Sequence, residues 1–144
     1  MSEHLFWHHH GGVSVPNLDE AIKWYHDVLG FEVEKRFRLP HEPCEIAMMV
    51  NGHLRMELFQ MEGAAPLPAD RRIPDMDLKT HGNKHVSFAT ENVDTFAEEL
   101  KKRGADIHWV KRFPHGANIF LRDCAGNLIE VVEMPRAGVP AVSL

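Results

Sequence analysis

Two stretches of the chain repeat the same order of hydrophobic and polar positions. In each, a segment that alternates apolar and polar residues precedes a segment with an apolar period of about 3.6 residues, and three more alternating segments follow. Alternation is typical of strands with one buried face. The longer period is typical of an amphipathic helix. The sequence therefore predicts strands over residues 5–15, 31–39, 44–50 and 53–60, and again over 85–90, 107–111, 118–122 and 127–133.

Each predicted helix begins at an asparagine and ends at a glycine. Asn17 is expected to cap the first helix, and Asn92 or Asp94 the second. Gly30 and Gly104 suit the left-handed position that follows a helix end. The apolar residues of each helix fall on one face, which is made of Leu18, Ala21, Ile22, Tyr25, Val28 and Leu29 in the first and Val93, Phe96, Ala97 and Leu100 in the second.

This order predicts an α+β fold of two βαβββ modules in one domain that spans residues 1–144. Module 1 covers about 5–60, a linker 61–83, module 2 about 84–134, and a tail 135–144. The linker contains several prolines and glycines and shows no period. Either a lid over a pocket or a solvated connector fits such a segment.

Residues that carry chemistry repeat together with the modules. His10 is followed by His85 after 75 residues, and Glu57 by Glu130 after 73. Each histidine belongs to a first strand and each glutamate to a last strand, on the face that the helix leaves uncovered. Glutamate is rarely buried unless it is paired or binds a cation. If the two uncovered faces lie opposite one another, they enclose a cleft in which all four side chains can converge.

Two imidazoles and two carboxylates form a set of metal ligands. Imidazole nitrogen suits Zn, Ni, Co, Mn or Fe, whereas Ca and Mg prefer ligand sets made only of oxygen. The sequence therefore predicts one divalent transition metal, bound by His10, Glu57, His85 and Glu130.

Composition excludes several other classes of function. A net charge of −5 with scattered basic residues argues against a nucleic-acid partner. No segment reaches the ~18 apolar residues of a membrane span, so no membrane association is expected. The two cysteines, Cys44 and Cys124, lie outside any CxxC pair and are expected to be free thiols. Together with the absence of a signal-peptide pattern, this predicts a cytoplasmic protein.

These features resemble the vicinal oxygen chelate superfamily, which includes glyoxalase I, fosfomycin resistance proteins, methylmalonyl-CoA epimerase and extradiol dioxygenases. The segments that carry the resemblance are His10-Gly11-Gly12-Val13-Ser14-Val15, Trp24-Tyr25 with Val28-Leu29-Gly30-Phe31, His85-Val86-Ser87-Phe88, and Asp123-Cys124-Ala125-Gly126-Asn127-Leu128-Ile129-Glu130. Cys124 replaces the proline that usually follows the aspartate in that last motif. The resemblance implies the glyoxalase/bleomycin-resistance/dioxygenase fold, and its four-ligand set is similar to that of bacterial glyoxalase I.

The function implied is that of a glyoxalase-type lyase or isomerase acting on a small carbonyl substrate. In this hypothesis the metal polarises a substrate carbonyl and stabilises an enediolate, while Glu130 or Glu57 acts as the base. Arg55 and Arg122 are candidate ligands for a substrate carboxylate. The resemblance also makes a homodimer plausible.

Two alternatives remain open from the sequence. An Fe(II) ring-cleaving dioxygenase of the extradiol type would use His10, His85 and Glu130 as its ligands, with Glu57 directed away from the metal. A small-molecule-binding resistance protein would use an aromatic cleft instead, for which the candidates are Trp7, Trp24, Trp109, Phe59 and Phe120.

Overall fold

A computed structural model describes residues 5–136. The chain divides into two compact units, with the boundary between Ala64 and Ala65. Each unit contains a four-stranded sheet and a long helix. Most of the predicted tail, residues 137–144, lies outside the described part.

The first unit follows the predicted order of elements. They are β1 (Gly11–Ser14), α1 (Leu18–Leu29), β2 (Glu32–Arg38), β3 (Cys44–Asn51) and β4 (Leu54–Met61). The order of strands across the sheet is β1-β4-β3-β2. Strand β1 is parallel to β4, and the other two pairs are antiparallel.

The second unit repeats this arrangement after two short helical segments. It contains a 3₁₀ turn (Ala69–Arg72), α2 (Pro74–Asp77), β5 (Val86–Thr90), α3 (Val93–Lys102), β6 (Asp106–Phe113), β7 (Gly116–Arg122) and β8 (Leu128–Glu133). The order across the sheet is β5-β8-β7-β6, and β5 is parallel to β8. The predicted pair of βαβββ modules is thus confirmed.

The first strand of each unit is shorter than the sequence predicts. Strand β1 begins at Gly11 rather than residue 5, and β5 begins at Val86, so that His10 and His85 lie just before their strands. For β1, partner-strand length accounts for part of the difference. Strand β4 begins at Leu54, so by the register of the pair residues 5–8 have no parallel partner.

The helix ends agree closely with the sequence. The side chains of Asn17 and Asn92 accept hydrogen bonds from backbone N–H groups in the first turns of α1 and α3. Gly30 adopts a φ of 74° at the end of α1. A second support for each helix comes from the last strand, where Gln60 accepts from the first N–H of α1 and Glu133 from that of α3.

The core of each unit lies between its helix and one face of its sheet. Leu18 and Tyr25 of α1 are fully buried, as are Met56 and Leu58 of β4. Because side chains alternate along a strand, Glu57 between the last two must lie on the face away from α1. The second unit has the same pattern in α3, β7 and β8, with Leu100, Ile119, Leu121, Ile129 and Val131 buried.

The predicted linker, residues 61–83, begins inside the first unit, since Met61 is the last residue of β4, and from Ala65 onward it belongs with the second unit. Asp77 at the end of α2 is only 2% exposed and forms ion pairs with Arg71 and Lys84. The contact with Arg71 Nε lacks the alignment of a hydrogen bond. Lys84 also donates to the carbonyl oxygen of Asp77 at 2.7 Å. These contacts join α2 to the residue that precedes His85.

Cys44 is buried, Cys124 is exposed, and no disulfide joins them, as the sequence predicts. Among residues 5–136, no helix is long and apolar enough to cross a membrane.

Replacing Asp77 with alanine is expected to lower the free energy of unfolding by about 1–3 kcal/mol, because it leaves Arg71 and Lys84 without their buried partner. Asp75→Ala is the matched control, since Asp75 lies in the same helix and is exposed, and its effect should stay within about 0.5 kcal/mol. Urea unfolding measures both. Equal losses in the two variants would contradict a structural role for Asp77.

Candidate metal centre

The first half-site consists of His10 and Glu57. Strand pairing places Gly12 of β1 beside Glu57 of β4, so the histidine two residues earlier lies next to the carboxylate. His10 Nε2 lies 3.2 Å from Glu57 Oε1. Both side chains are partly exposed, at 32% and 18%, so the pair is accessible from solvent.

The second half-site consists of His85 and Glu130 and has the same construction. Ser87 of β5 pairs with Glu130 of β8, and His85 again lies two residues before the pairing position. His85 Nε2 lies 3.6 Å from Glu130 Oε1. The His85 ring also meets the edge of the Phe120 ring, with centroids 5.1 Å apart. The repeat found in the sequence thus corresponds to a repeat of geometry.

The spacing within each half-site suits two ligands of one metal ion. Ligand atoms about 2.1 Å from an ion lie about 2.9–3.4 Å apart in octahedral or tetrahedral geometry. The distances of 3.2 and 3.6 Å are close to that range, and a histidine nitrogen with a carboxylate oxygen is a donor set that Zn, Ni, Co, Mn and Fe accept. Over residues 5–136, no group of three or more His, Cys, Asp or Glu side chains is arranged to bind one metal ion, so the observed geometry is that of two His–Glu pairs, one in each unit.

His9 provides a second contact to the first half-site. Its Nδ1 lies 2.6 Å from Nδ1 of His10, so one ring must donate a proton and the other accept it. If the His10 ring carries its proton on Nδ1, its Nε2 lone pair is directed toward Glu57 and is free to bind a cation. Such a hydrogen bond to the second ring nitrogen is the usual way in which proteins orient a histidine ligand.

The two arginines proposed as substrate ligands differ in availability. Arg122 donates to both oxygens of Asp106, at 2.8 and 3.2 Å, and to the carbonyl oxygen of Arg72 at 2.8 Å. Arg55 contacts Glu34 at 3.2 Å, and its buried Nε has no hydrogen-bond partner among residues 5–136. Arg55 therefore has the greater free capacity to bind an anion.

The hydrogen bonds around Glu130 were not predicted from the sequence, which named Trp109 only as a candidate for an aromatic cleft. Ser87 and Asn118 donate hydrogen bonds to its carboxylate, and Trp109 donates to the Asn118 side chain. The one available signal was Asn118 itself, a polar residue in the otherwise apolar strand Ala117–Leu121.

The aromatic residues of the binding-protein alternative are spread over different surroundings. Trp7 is 83% exposed, and Trp24 packs edge-on against Tyr25 of the same helix. Trp109 and Phe120 do meet, with ring centroids 5.3 Å apart, and they flank Glu130 and His85 of the second half-site.

A family model described as the Glyoxalase/Bleomycin resistance protein/Dioxygenase superfamily matches residues 7–131. The chain is 32% identical to methylmalonyl-CoA epimerase, mitochondrial, of Mus musculus over 129 residues, which cover 85% of this chain and 70% of that protein. A glyoxalase family protein from Enterococcus faecalis superposes with a TM-score of 0.75 at 21% identity, covering 90% of this chain and 98% of the other. Glyoxalase I from Zea mays gives a TM-score of 0.69 at 21% identity, covering 89% and 44%. At these identities the two structures show a shared fold.

We expect Arg122→Gln to lower the free energy of unfolding by about 1–2 kcal/mol at neutral pH, because Asp106 and a backbone carbonyl lose their donors. Arg55→Gln is the control and should cost less than about 1 kcal/mol, since its contact with Glu34 is partly exposed. Chemical denaturation compares the two. A larger loss for Arg55→Gln would contradict the assignment of Arg122 to structure.

The stabilisation that comes from the Arg122–Asp106 ion pair should depend on pH. Arg122 holds the pKa of Asp106 below its ordinary value, so the stabilisation is complete above the unfolded pKa of about 3.9 and fades as the pH falls below it. The difference in free energy of unfolding between wild type and Arg122→Gln should therefore become smaller at acidic pH, which chemical denaturation at several pH values measures.

Proposed function

We propose, from the premise that this chain belongs to the Glyoxalase/Bleomycin resistance protein/Dioxygenase superfamily, that it is a metal-dependent isomerase acting on a small carbonyl substrate. The observation that carries the proposal is the pair of equivalent half-sites, each with a histidine nitrogen 3.2–3.6 Å from a glutamate oxygen. Members of the superfamily typically bind a divalent metal. In this proposal His10, Glu57, His85 and Glu130 together bind one ion.

A metal bound by these residues would supply a Lewis acid, which would polarise a substrate carbonyl and make the proton on the adjacent carbon easier to remove. The protein supplies the base. A glutamate carboxylate takes this proton, the electron pair of the C–H bond is delocalised into the carbonyl as an enolate or enediolate, and the proton then returns to the substrate. The product is an isomer of the substrate, so no oxidant or reductant is required.

A thioester with a second carbonyl or carboxylate group on the adjacent carbon is the first substrate class to test. Support comes from the 32% identity to a methylmalonyl-CoA epimerase over 85% of the chain. The same chemistry would serve the glyoxalase I reaction on a hemithioacetal. Arg55 lies on β4 two residues from Glu57, on the same face of the sheet, and is the proposed ligand for a substrate carboxylate.

The dioxygenase alternative receives less support. It requires Glu57 to point away from the metal, whereas the Glu57 carboxylate lies 3.2 Å from Nε2 of His10, the nitrogen that a metal would use. This orientation favours four protein ligands over three.

Tag-free protein is expected to bind about one Co²⁺ or Zn²⁺ per chain, and Glu57→Gln to bind it more weakly, because a neutral amide is a poorer ligand than a carboxylate. Glu62→Gln, the same chemical change at an exposed position after β4, should leave binding unchanged. Elemental analysis with isothermal titration measures stoichiometry and affinity. No binding under metal-replete conditions would contradict the proposal.

Cobalt-loaded protein is expected to exchange the C2 proton of methylmalonyl-CoA for deuterium in D₂O, which proton NMR follows directly. Glu57→Gln should slow the exchange by about 10²-fold or more, and Glu62→Gln should not. Metal binding without exchange above the buffer rate would exclude this substrate class. Oxygen uptake with catechols and Fe²⁺ would instead point to the dioxygenase.

A further inference from the structure

The residue immediately before His85 is anchored to α2. The ammonium group of Lys84 donates hydrogen bonds to the carbonyl oxygen of Asp77, at 2.7 Å, and to that of Thr80. These two carbonyl groups belong to the last residue of α2 and to the turn that follows it. Because the carbonyl groups at a helix end have no partner inside the helix, a lysine side chain is a suitable donor to them. Lys84 thereby ties the chain just ahead of β5 to α2.

A second anchor holds the residue before Lys84. Arg71, in the 3₁₀ turn, donates to the carbonyl oxygen of Asn83 at 2.6 Å. The carboxylate of Asp77 forms ion pairs with both Arg71 and Lys84, so the two anchors meet at one group, and we call these three side chains the Asp77 clamp. Asp77 is 2% exposed, and a carboxylate buried to that extent is costly unless its partners are in place. Moving either cation away would leave this charge uncompensated, so the clamp resists displacement of residues 83 and 84.

His85 depends on such an anchor because its own backbone lies just outside the ladder of the sheet. The pairing of β5 with β8 begins at Val86, opposite Ile129. Strand pairing therefore fixes the C-terminal side of His85, and the clamp fixes its N-terminal side. Between these two points the imidazole lies against the edge of the Phe120 ring, with Nε2 3.6 Å from Oε1 of Glu130.

The first unit has no equivalent anchor among its described residues. The offset of 75 that relates the two histidines places His9 at the position of Lys84. The ring of His9 contacts the ring of His10 itself and not a helix end. Trp7, further upstream, is 83% exposed. Each unit thus contains one His–Glu pair, and the preceding segment holds the histidine of the second unit more firmly.

We infer that Asp77, acting through Arg71 and Lys84, is a positioning residue that keeps His85 at a fixed place beside Glu130. The inference rests on the proposed function, in which His85 is one of four metal ligands. A ligand that is already in place loses less conformational freedom when an ion binds, so the affinity for the ion is higher. The segment between the modules thus contributes to the proposed centre without supplying a ligand of its own.

The position of His85 is tested on metal-free protein by the order parameter of its backbone amide, measured by ¹⁵N relaxation. Wild type is expected to show about 0.85, the level of rigid backbone. Lys84→Met, which keeps a long side chain but removes its donors, should lower this value toward about 0.6, the level of flexible backbone. Lys84→Arg, which keeps the charge and the donors, should restore it. The order parameter of Ile129, inside the ladder, should stay the same in all three proteins.

The consequence for the proposed centre is tested by Co²⁺ affinity, measured by isothermal titration on tag-free protein. Lys84→Met is expected to weaken binding about 10-fold, the lower end of what is lost when a group that orients a metal ligand is removed. Lys84→Arg should recover most of the affinity. Lys79→Met is the matched control, because it makes the same substitution at an exposed position of the same segment. It should leave the affinity within about twofold of wild type.

Arg71→Met is a second variant that tests the clamp independently, since it removes the donor to Asn83 and leaves Lys84 in place. It should lower the order parameter of His85 and weaken Co²⁺ binding in the same direction as Lys84→Met. Melting temperatures of the metal-free proteins identify the variants that are fully folded at the temperature of the titration. A wild-type order parameter at His85 in a folded variant would overturn the inference.

Failure of the inference is distinguishable from failure of the proposed function. If wild-type protein binds no Co²⁺, the proposed metal centre is wrong, and the order parameter of His85 still decides whether the clamp fixes this residue. If wild type and folded Lys84→Met bind Co²⁺ equally tightly, the metal centre stands and the positioning role is overturned.

Discussion

In each unit the first strand lies parallel to the last, and this pairing determines where the histidine and the glutamate of the proposed centre lie. A parallel arrangement requires a crossover connection, and here the helix between the first and second strands crosses one face of the sheet. That face becomes the apolar core. The opposite face carries the glutamate of each unit next to a buried apolar residue, Met48 beside Glu57 and Phe120 beside Glu130. The parallel register places each histidine beside a glutamate that lies 45–47 residues away in the chain.

The two units share this framework but differ in the side chains around their glutamates. Strand pairing fixes where Glu57 and Glu130 lie, whereas the neighbouring residues decide how firmly each carboxylate is held. Glu130 accepts hydrogen bonds from Ser87 and Asn118, whereas Gly12 and Ile46 lie at the equivalent positions around Glu57 and have no side-chain donor. The position of each carboxylate and its hydrogen bonds are thus set by separate parts of the sequence, the position by strand pairing and the hydrogen bonds by the side chains of neighbouring strands.

Much of the fold follows from local sequence, and the rest depends on register. The caps at Asn17 and Asn92 are predictable because their hydrogen bonds span three residues. The start of β1 is not, because it depends in part on the length of a strand more than forty residues away. The contact between Asn118 and Glu130 was missed for the same reason, since alternation gives the face of a residue but not its cross-strand partner. The ion pairs of the buried Asp77 were also not predicted, because they lie in a segment without hydrophobic periodicity.

The central claim is that His10, Glu57, His85 and Glu130 bind a single metal ion. Anomalous diffraction at the absorption edge of cobalt or zinc, on crystals grown with that metal, tests it most directly. The account predicts one anomalous peak about 2.0–2.2 Å from Nε2 of both histidines and from an oxygen of both glutamates. A peak bound by only one His–Glu pair, or a peak elsewhere on the protein, would contradict it.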